Sequence, residues 1–316
     1  MLSGKKVLVT GGSGFLGKHL LDALKEKAPD CILRAPRSKE YDLRKESDVS
    51  QLFSSFSPDI VIHLATTAKG MGYNKEHPGT LFYDHVMMNS MVLDASRKSG
   101  VEKFVAIGTA LAYPGNAEIP IKEADIWKGY PESSLASLGL SSRMLLAQIQ
   151  AYRSEFSFNA IYVILPNLYG PGDHFSSSQA HVIPVTIKKF DEAVKTQSGK
   201  VEIWGSGRAS REFLYVKDAA RGIIASLENY NKPEPLNIGP GQEVTIKNLA
   251  EKISSALNFS GEIFWDTSKP EGSLRRCLDS TRMFEETGFK PSTSFDEGLK
   301  ATIDWYIKNR DAITKD

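Results

Sequence analysis

The chain has 316 residues, 41% hydrophobic and 24% charged, with a formal net charge of +1. This predicts a globular protein of one large domain or two closely joined ones. The near-neutral charge argues against nucleic-acid or membrane partners. Cys31 and Cys277 are too few for a disulfide framework or a metal site, so both are expected to be buried thiols. The start of the chain has no signal-peptide pattern and no stretch is apolar enough for a membrane span, so a cytoplasmic location is expected.

Strand-like and helix-like patterns alternate through the first half of the chain. The predicted strands are 7–10, 31–34, 60–64, 104–109 and 160–165, and the predicted helices are 15–27, 86–99 and 138–156. Strands that are apolar throughout and separated by helices are typical of a parallel sheet covered on both faces. The predicted fold class is therefore α/β, with a doubly wound parallel sheet.

The pattern becomes irregular beyond residue 168, with short strand-like runs at 201–204 and 262–265. This change predicts a second, smaller lobe of mixed α/β structure. We expect residues 1–168 to form the sheet domain and about 212–240 to rejoin it, with residues 213–216 returning as a strand. Residues 169–211 and 241–316 would then form the small lobe.

A glycine-rich turn follows the first predicted strand and opens the first predicted helix. It comprises Gly11, Gly12, Ser13, Gly14, Phe15, Leu16 and Gly17, which fit the Gly-x-Gly-x-x-Gly pattern. Such glycines permit a tight turn and let a pyrophosphate approach the helix N-terminus. A simple tight turn is the alternative interpretation. The flanking strand and helix favour a dinucleotide site in a Rossmann domain.

The end of the second predicted strand and the residues after it indicate which dinucleotide is bound. An NAD-specific site carries an acidic residue about 20 positions after the glycines. Here that region holds Arg34 and Arg37. Guanidinium groups offer planar, permanently charged donors that suit a 2′-phosphate. NADP(H) is therefore the predicted cofactor. In the alternative interpretation, one of the two arginines is a solvated charge on the loop and does not contact the phosphate.

Together these features resemble the extended short-chain dehydrogenases, and later motifs are similar to those of the GDP-L-fucose synthase family. The motifs are PNLYGP at 166–171, HVIP at 181–184, WGSG at 204–207, REFL at 211–214 and SKPEG at 268–272. The resemblance covers nearly the whole chain. It implies NADPH-dependent epimerisation and reduction of GDP-4-keto-6-deoxymannose, and a symmetric homodimer.

In that family a Ser or Thr and a Tyr-x-x-x-Lys pair carry the hydride chemistry. Residues four apart share a helix face, so the ammonium lies beside the phenol and lowers its pKa. The resemblance places Thr109 at the hydroxyl position, but Leu138 at the tyrosine position and Ser142 at the lysine position. Leu111 stands at the position of the family's epimerisation cysteine. His181 matches the histidine that serves as that cysteine's partner acid.

The resemblance also implies a set of binding residues, which the chain largely retains. Cofactor contacts are implied for the glycine turn and for Leu64, Ala65, Asn167 and Leu168. Substrate contacts are implied for His181, Lys189, Trp204, Arg211, Lys269 and Arg275. Cations gathered in one lobe suit the diphosphate of a GDP-linked sugar.

Two functions fit these observations. The first is an enzyme that reduces or epimerises a GDP-4-keto sugar with altered catalytic residues, in which Tyr130 is a possible substitute proton donor. The second is a catalytically impaired relative that binds NADP(H) and a nucleotide sugar as a sensing or partner subunit. Retention of both the cofactor motif and the sugar motifs favours the enzyme.

Overall fold

A computed structural model of the chain describes residues 1–67, 74, 76–175, 181–269 and 272–313. The first part alternates strands and helices, as predicted. Its elements are β1 (Lys6–Thr10), α1 (Phe15–Lys27), β2 (Ile32–Arg34), α2 (Glu46–Phe56), β3 (Ile60–His63), α3 (Pro78–Lys98), β4 (Lys103–Thr109), α4 (Ala136–Phe156) and β5 (Ala160–Leu165). The predicted bounds agree within two residues, except that α3 begins eight residues before the predicted helix. Its first turns begin at Pro78, a residue that suits the start of a helix.

The second part of the chain has shorter and less regular elements. They are β6 (Asn167–Tyr169), α5 (Val182–Lys195), β7 (Lys200–Trp204), β8 (Ser210–Tyr215), α6 (Val216–Asn229), β9 (Leu236–Asn237), β10 (Glu243–Thr245), α7 (Ile246–Ala256), β11 (Glu262–Asp266), α8 (Thr281–Thr287) and α9 (Phe295–Ile313). Both strand-like runs that the sequence indicated here, at 201–204 and 262–265, are strands. They pair in parallel as β7 and β11.

The main sheet is parallel, in the order β2-β1-β3-β4-β5-β9. Alternate residues of its strands face two separate hydrophobic cores. In β5, Tyr162 and Ile164 face the core beneath α2, α3 and α4, whereas Ile161 and Val163 face the core beneath α1 and α6. Burial on both faces explains why the strands are apolar throughout. The predicted doubly wound Rossmann-type sheet is confirmed.

A smaller lobe contains a three-stranded sheet in the order β10-β8-β6 and the pair β11-β7. The expectation that residues 213–216 return to the main sheet is wrong. Phe213 and Tyr215 of β8 instead pack around Tyr169 in the third hydrophobic core, with ring centroids 6.2 and 5.7 Å away. The chain rejoins the main domain through α6, which packs on α1, and then through β9. These aromatic contacts hold β8 in the small lobe.

The cysteines differ in their surroundings. Cys277 is buried as expected, and burial raises the pKa of its thiol to about 12. Cys31 is only partly buried, so the expectation of a buried thiol is wrong there. Among the described helices, none is long and apolar enough to cross a membrane. Across all the described residues, no group of three or more His, Cys, Asp or Glu side chains could hold a metal ion.

Candidate active site

The glycine turn between β1 and α1 is packed too closely to accept side chains. Gly11 has φ +71°, and a Cβ atom there would lie 2.8 Å from the backbone nitrogen of Ala65. A Cβ atom on Gly17 would lie 2.3 Å from the carbonyl oxygen of Gly11. The amide of Gly14 donates to that same carbonyl at 3.0 Å. This compact turn opens α1 at its N-terminus, which is the geometry that a dinucleotide pyrophosphate requires.

A buried hydrogen-bond chain fixes the loop after β3 against the glycine turn. His63 Nε2 donates to Asn89 Oδ1 at 2.9 Å, so His63 Nδ1 accepts the hydroxyl proton of Thr10 at 2.6 Å. The Thr10 oxygen accepts from the amide of Ala65 at 3.4 Å. Burial lowers the pKa of His63 to about 4, so the imidazole is neutral at pH 7. Leu64 and Ala65 are thereby held at the carboxyl edge of the sheet, beside the expected cofactor site.

Arg34 is the last residue of β2 and Arg37 lies in the loop that follows, and both are exposed. This loop packs directly on the glycine turn, because a Cβ atom on Gly12 would lie 2.6 Å from the Cβ of Ala35. The amide of Arg37 donates to Glu40 Oε2 at 2.8 Å, which fixes the backbone of the loop. The backbone that carries both arginines therefore lies beside the turn, where β2 ends.

The positions that carry catalysis in the resembling family lie at the ends of β4 and α4. Thr109 ends β4, and its hydroxyl oxygen accepts from the amide of Leu111 at 3.2 Å. Leu138 and Ser142 are buried one turn apart near the start of α4. The hydroxyl of Tyr162 donates to the Ser142 carbonyl at 3.1 Å, so the Ser142 hydroxyl donates to the phenol oxygen at 2.5 Å. Both hydroxyl protons of this pair are therefore used in hydrogen bonds within the protein.

Tyr162 fills the space beneath Ser142. Its side chain is 1% exposed, and a Cβ atom on Gly108 would lie 2.2 Å from its hydroxyl oxygen. Burial raises the pKa of the phenol, which is therefore neutral at pH 7. The sequence analysis missed Tyr162 because this residue fits the apolar pattern of a buried strand. Gly108, in the neighbouring strand, was the available signal of a close approach.

Two loops between β4 and α4 are fastened to the start of that helix. A Cβ atom on Gly139 would lie 2.4 Å from the carbonyl oxygen of Leu111. The buried guanidinium of Arg143 donates to the carbonyls of Ala112 at 2.6 Å and Gly129 at 2.7 Å. These contacts hold both loops next to Leu138.

The tyrosines of these loops differ as proton donors. Tyr113 is buried and donates to Asn237 Oδ1 at 2.7 Å, and burial raises the pKa of its phenol. Tyr113 is therefore engaged in holding β9. The side chain of Tyr130 is 62% exposed, while its carbonyl accepts from the amide of Gly115 at 3.0 Å. Of the two, Tyr130 is the phenol that a ligand can reach.

His85 on α3 joins the loop after β3 to α4, a second contact that the sequence did not reveal. Its Nε2 atom accepts from the amide of Thr67 at 3.2 Å and lies 2.8 Å from the hydroxyl of Thr66. The Nδ1 atom therefore carries the proton and faces the hydroxyl of Ser141 at 3.5 Å. Burial lowers the pKa of His85 to about 4. At pH 7 the His85 side chain is therefore neutral and links the loop after β3 to α4.

Several expected substrate residues lie in the small lobe. Trp204 is 57% exposed, and the ammonium of Lys269 lies 5.8 Å from its ring centroid. Lys189 donates to the carbonyl of Glu202 at 2.8 Å, so its ammonium has a partner within the protein. Residues 270–271 of the expected SKPEG motif lie outside the described part of the chain. The Trp204–Lys269 pair forms an exposed cation–aromatic surface.

The arginines on and beside β8 have different partners. Arg211 donates to the carbonyl of Ser210 at 2.7 Å. Arg275 forms an ion pair with Glu243, and this hydrogen bond keeps the pKa of the carboxyl below its usual range. Arg275 would have to leave Glu243 in order to bind a diphosphate.

The remaining expected residues lie where the two lobes meet. His181 is exposed and precedes the first turn of α5. Asn167 begins β6, and its side-chain Nδ2 donates to the backbone carbonyl of Glu212 at 3.3 Å. Leu168 packs at the edge of the core that lies beneath α1 and α6. β6 therefore links the main domain to the small lobe.

Asp173, in the turn after β6, is a buried acid with an incomplete set of partners. Its Oδ1 atom accepts from the amide of His174 at 2.7 Å, whereas Oδ2 is buried and has no hydrogen-bond partner among the residues that the structure describes. Burial raises the pKa of the carboxyl to about 7. A carboxyl with a raised folded-state pKa contributes stability that is present below the unfolded pKa of about 4 and lost as pH rises through 7.

We therefore expect Asp173→Asn to stabilise the protein in a pH-dependent way. The amide keeps the shape of the neutral acid without its titration. The gain in melting temperature over the parent should grow from about pH 4 to pH 7 and stay constant above. Melting curves at pH 5, 6, 7 and 8 measure it. A gain that is independent of pH would contradict the raised pKa.

Comparison with known proteins agrees with this geometry. Residues 7–239 match the NAD dependent epimerase/dehydratase family, and the chain belongs to that family. It is 35% identical to the probable GDP-L-fucose synthase 1 of Oryza sativa subsp. japonica, over 97% of this chain and 93% of that protein.

Solved structures give the same relationship. A GDP-L-fucose synthetase from Naegleria fowleri bound to NADP is 28% identical, with a TM-score of 0.88 over 98% of this chain and 96% of that one. A GDP-mannoheptose C4 reductase from Campylobacter jejuni with NADP bound is 27% identical, with a TM-score of 0.87 over 96% of this chain and 98% of that one. The resemblance to extended short-chain dehydrogenases of the GDP-L-fucose synthase type is confirmed.

Proposed function

We propose that this protein binds NADP(H) and a GDP-linked sugar, and that it reduces or epimerises a GDP-4-keto sugar with altered catalytic residues. The observation that carries the proposal is that the close-packed glycine turn after β1 and the end of β4 lie at the same edge of the parallel sheet. The identities of the nucleotide and the cofactor in this proposal are taken from the names of the relatives. When bound, NADPH supplies a hydride.

The chain's own residues must then deliver a proton to the sugar oxygen. Leu138 has none to give, and the Ser142 hydroxyl is turned towards Tyr162. The oxygen of Thr109 accepts from the amide of Leu111, which leaves its own proton for a ligand oxygen. Tyr130 is the exposed phenol of the neighbouring loop. We assign positioning to Thr109 and proton supply to Tyr130. A slow reaction follows because none of the described residues pairs a cation with this phenol.

A second candidate function is binding without turnover, as a sensing or partner subunit. The buried Ser142–Tyr162 pair favours it, because the pair fills the space beneath α4 with neutral groups. Both candidates require the same two ligands. They differ only in whether the bound sugar changes.

Ligand binding is tested by thermal melting with GDP. A ligand that binds only the folded state stabilises by mass action, by about 2.7 kcal/mol at a hundredfold excess over Kd. GDP should raise the melting temperature of the parent, and Arg211→Ala should lose most of that rise. Arg221→Ala, on α6, is the control and should respond like the parent. If Arg211→Ala melts lower yet responds fully to GDP, the residue is structural.

We also propose a homodimer, formed through the outer faces of α3 and α4. Tyr83 on α3 is 62% exposed and Met144 on α4 is 45% exposed, so apolar side chains lie on the faces turned away from the sheet. Symmetric pairing of these faces would cover them. Light scattering at micromolar concentration should give twice the chain mass. A monomeric mass would reject the dimer.

A further inference from the structure

Arg276 lies in a segment fixed between the two lobes. The amide of Glu212 in β8 donates to the carbonyl of Arg276 at 3.1 Å. One residue further, the amide of Ile121 donates to the carbonyl of Cys277 at 2.8 Å. The backbone is thus held on one side by the small lobe and on the other by the main domain, so the direction of the Arg276 side chain is set by both.

The guanidinium of Arg276 differs from that of its neighbour. Arg275 is exposed and paired with Glu243. Arg276 is half-buried, and its guanidinium makes no hydrogen bond or ion pair within the described residues. Burial lowers the pKa of its guanidinium, while the charge of Glu132 raises it. A partly desolvated cation without a bonded partner is unfavourable unless a ligand supplies the acceptors.

The position of Glu132 shows which part of the site Arg276 faces. Ser273 donates to Glu132 Oε2 at 3.5 Å, which joins this loop to the segment that carries Arg276. The preceding Pro131 packs on α4, because a Cβ atom on Gly139 would lie 2.9 Å from the Pro131 Cβ. Gly139 directly follows the family's tyrosine position. Arg276 therefore lies beside the loop that packs against α4 next to this position, which is where the proposed sugar would react.

We propose that Arg276 is a ligand-binding residue that donates hydrogen bonds to oxygen atoms of the glycosyl group. This inference rests on the proposed function and extends it. Guanidinium offers several donors in one plane and no acceptor, so it selects hydroxyl or carbonyl oxygens that can accept. Arg211 and Lys269 remain for the diphosphate. Arg276 would then distinguish GDP-sugars from GDP.

Calorimetric titration with GDP and with GDP-mannose tests this assignment. Arg276→Gln should weaken binding of GDP-mannose at least about tenfold, because a hydrogen bond from a charged donor is lost. Binding of GDP should change less than about twofold. Arg276→Lys keeps the charge but not the planar donor set, so it should lose part of the GDP-mannose affinity. Arg221→Gln, on α6, removes a remote guanidinium and should leave both affinities unchanged.

Three results would overturn the assignment. Unchanged affinity for GDP-mannose in both Arg276 variants would show that the guanidinium has no ligand. An equal loss for GDP and GDP-mannose would place it on the nucleotide or diphosphate. If the parent binds GDP but gains nothing from the mannosyl group, no glycosyl contact exists. A parent that binds neither compound contradicts the proposed function itself, which is a distinct outcome. Melting without ligand verifies that each variant is folded.

Discussion

Restoring Tyr and Lys at positions 138 and 142 should produce a fast 4-keto reductase only if Tyr162 is shortened as well. The double change Leu138→Tyr with Ser142→Lys places a lysine against a phenol that already fills the space. Adding Tyr162→Ser makes room for the ammonium beside the new phenol. Positioned acid–base groups contribute about 10²–10⁴-fold, so the triple variant should exceed the parent by that order. NADPH absorbance with GDP-4-keto-6-deoxymannose measures the rate.

Three controls separate the causes of any gain. Tyr162→Ser alone should leave the rate near that of the parent, since it supplies neither a phenol nor a cation. None of these variants should gain 3,5-epimerisation, because Leu111 still lacks a base. A double variant as active as the triple one would show that Tyr162 does not occupy the lysine's place. Fast turnover in the parent would contradict the account more deeply, and Tyr130→Phe would then test the substitute donor.

NADPH should bind at least about tenfold more tightly than NADH. Arg34 ends β2 and Arg37 lies in the following loop, both are exposed, and Ala35 between them packs on the glycine turn, so we expect their guanidinium groups to bind a 2′-phosphate there. Each charge-assisted contact contributes about 1.5–3 kcal/mol, and replacing both arginines by Ala should remove the preference. Calorimetry with the two cofactors measures it.

The matched control is Arg97→Ala at the end of α3, whose guanidinium pairs with Asp94. It should leave the ratio of NADPH to NADH affinity unchanged. If the parent binds both cofactors with equal affinity, neither arginine binds the 2′-phosphate. If only one of the two substitutions lowers the ratio, the other arginine is a solvated loop charge.

The sheet and the cofactor turn were predictable because they rest on local chemistry. Strands buried on both faces must be apolar throughout, and glycines at 11 and 17 are required by contacts of less than 3 Å. The early start of α3 was not predictable, since its first turns carry no clear apolar period. The placement of β8 was also hidden. Its pattern suits either sheet, and aromatic contacts distant in sequence decide between them.

The sequence predicts which residues form the candidate site, but it does not reveal the side chains that pack against them. The resemblance predicts that Leu138 and Ser142 replace catalytic residues, but the sequence did not show that Tyr162 fills the space below Ser142. His85 and Arg276 were missed for the same reason. Their roles depend on partners far away in the chain, Thr66 for one and the Glu132 loop for the other. Single-sequence patterns carry no information on such pairings.

We propose that this protein still transforms a GDP-4-keto sugar, slowly, with NADPH. A single-turnover reaction tests it most directly, with protein in excess over GDP-4-keto-6-deoxymannose and saturating NADPH, following absorbance and the sugar product together. We expect one NADPH consumed for each reduced sugar formed, at a rate about 10² or more below that of the triple variant. Unchanged sugar and unchanged NADPH, in a parent that binds both ligands, would contradict the claim and leave binding as the function.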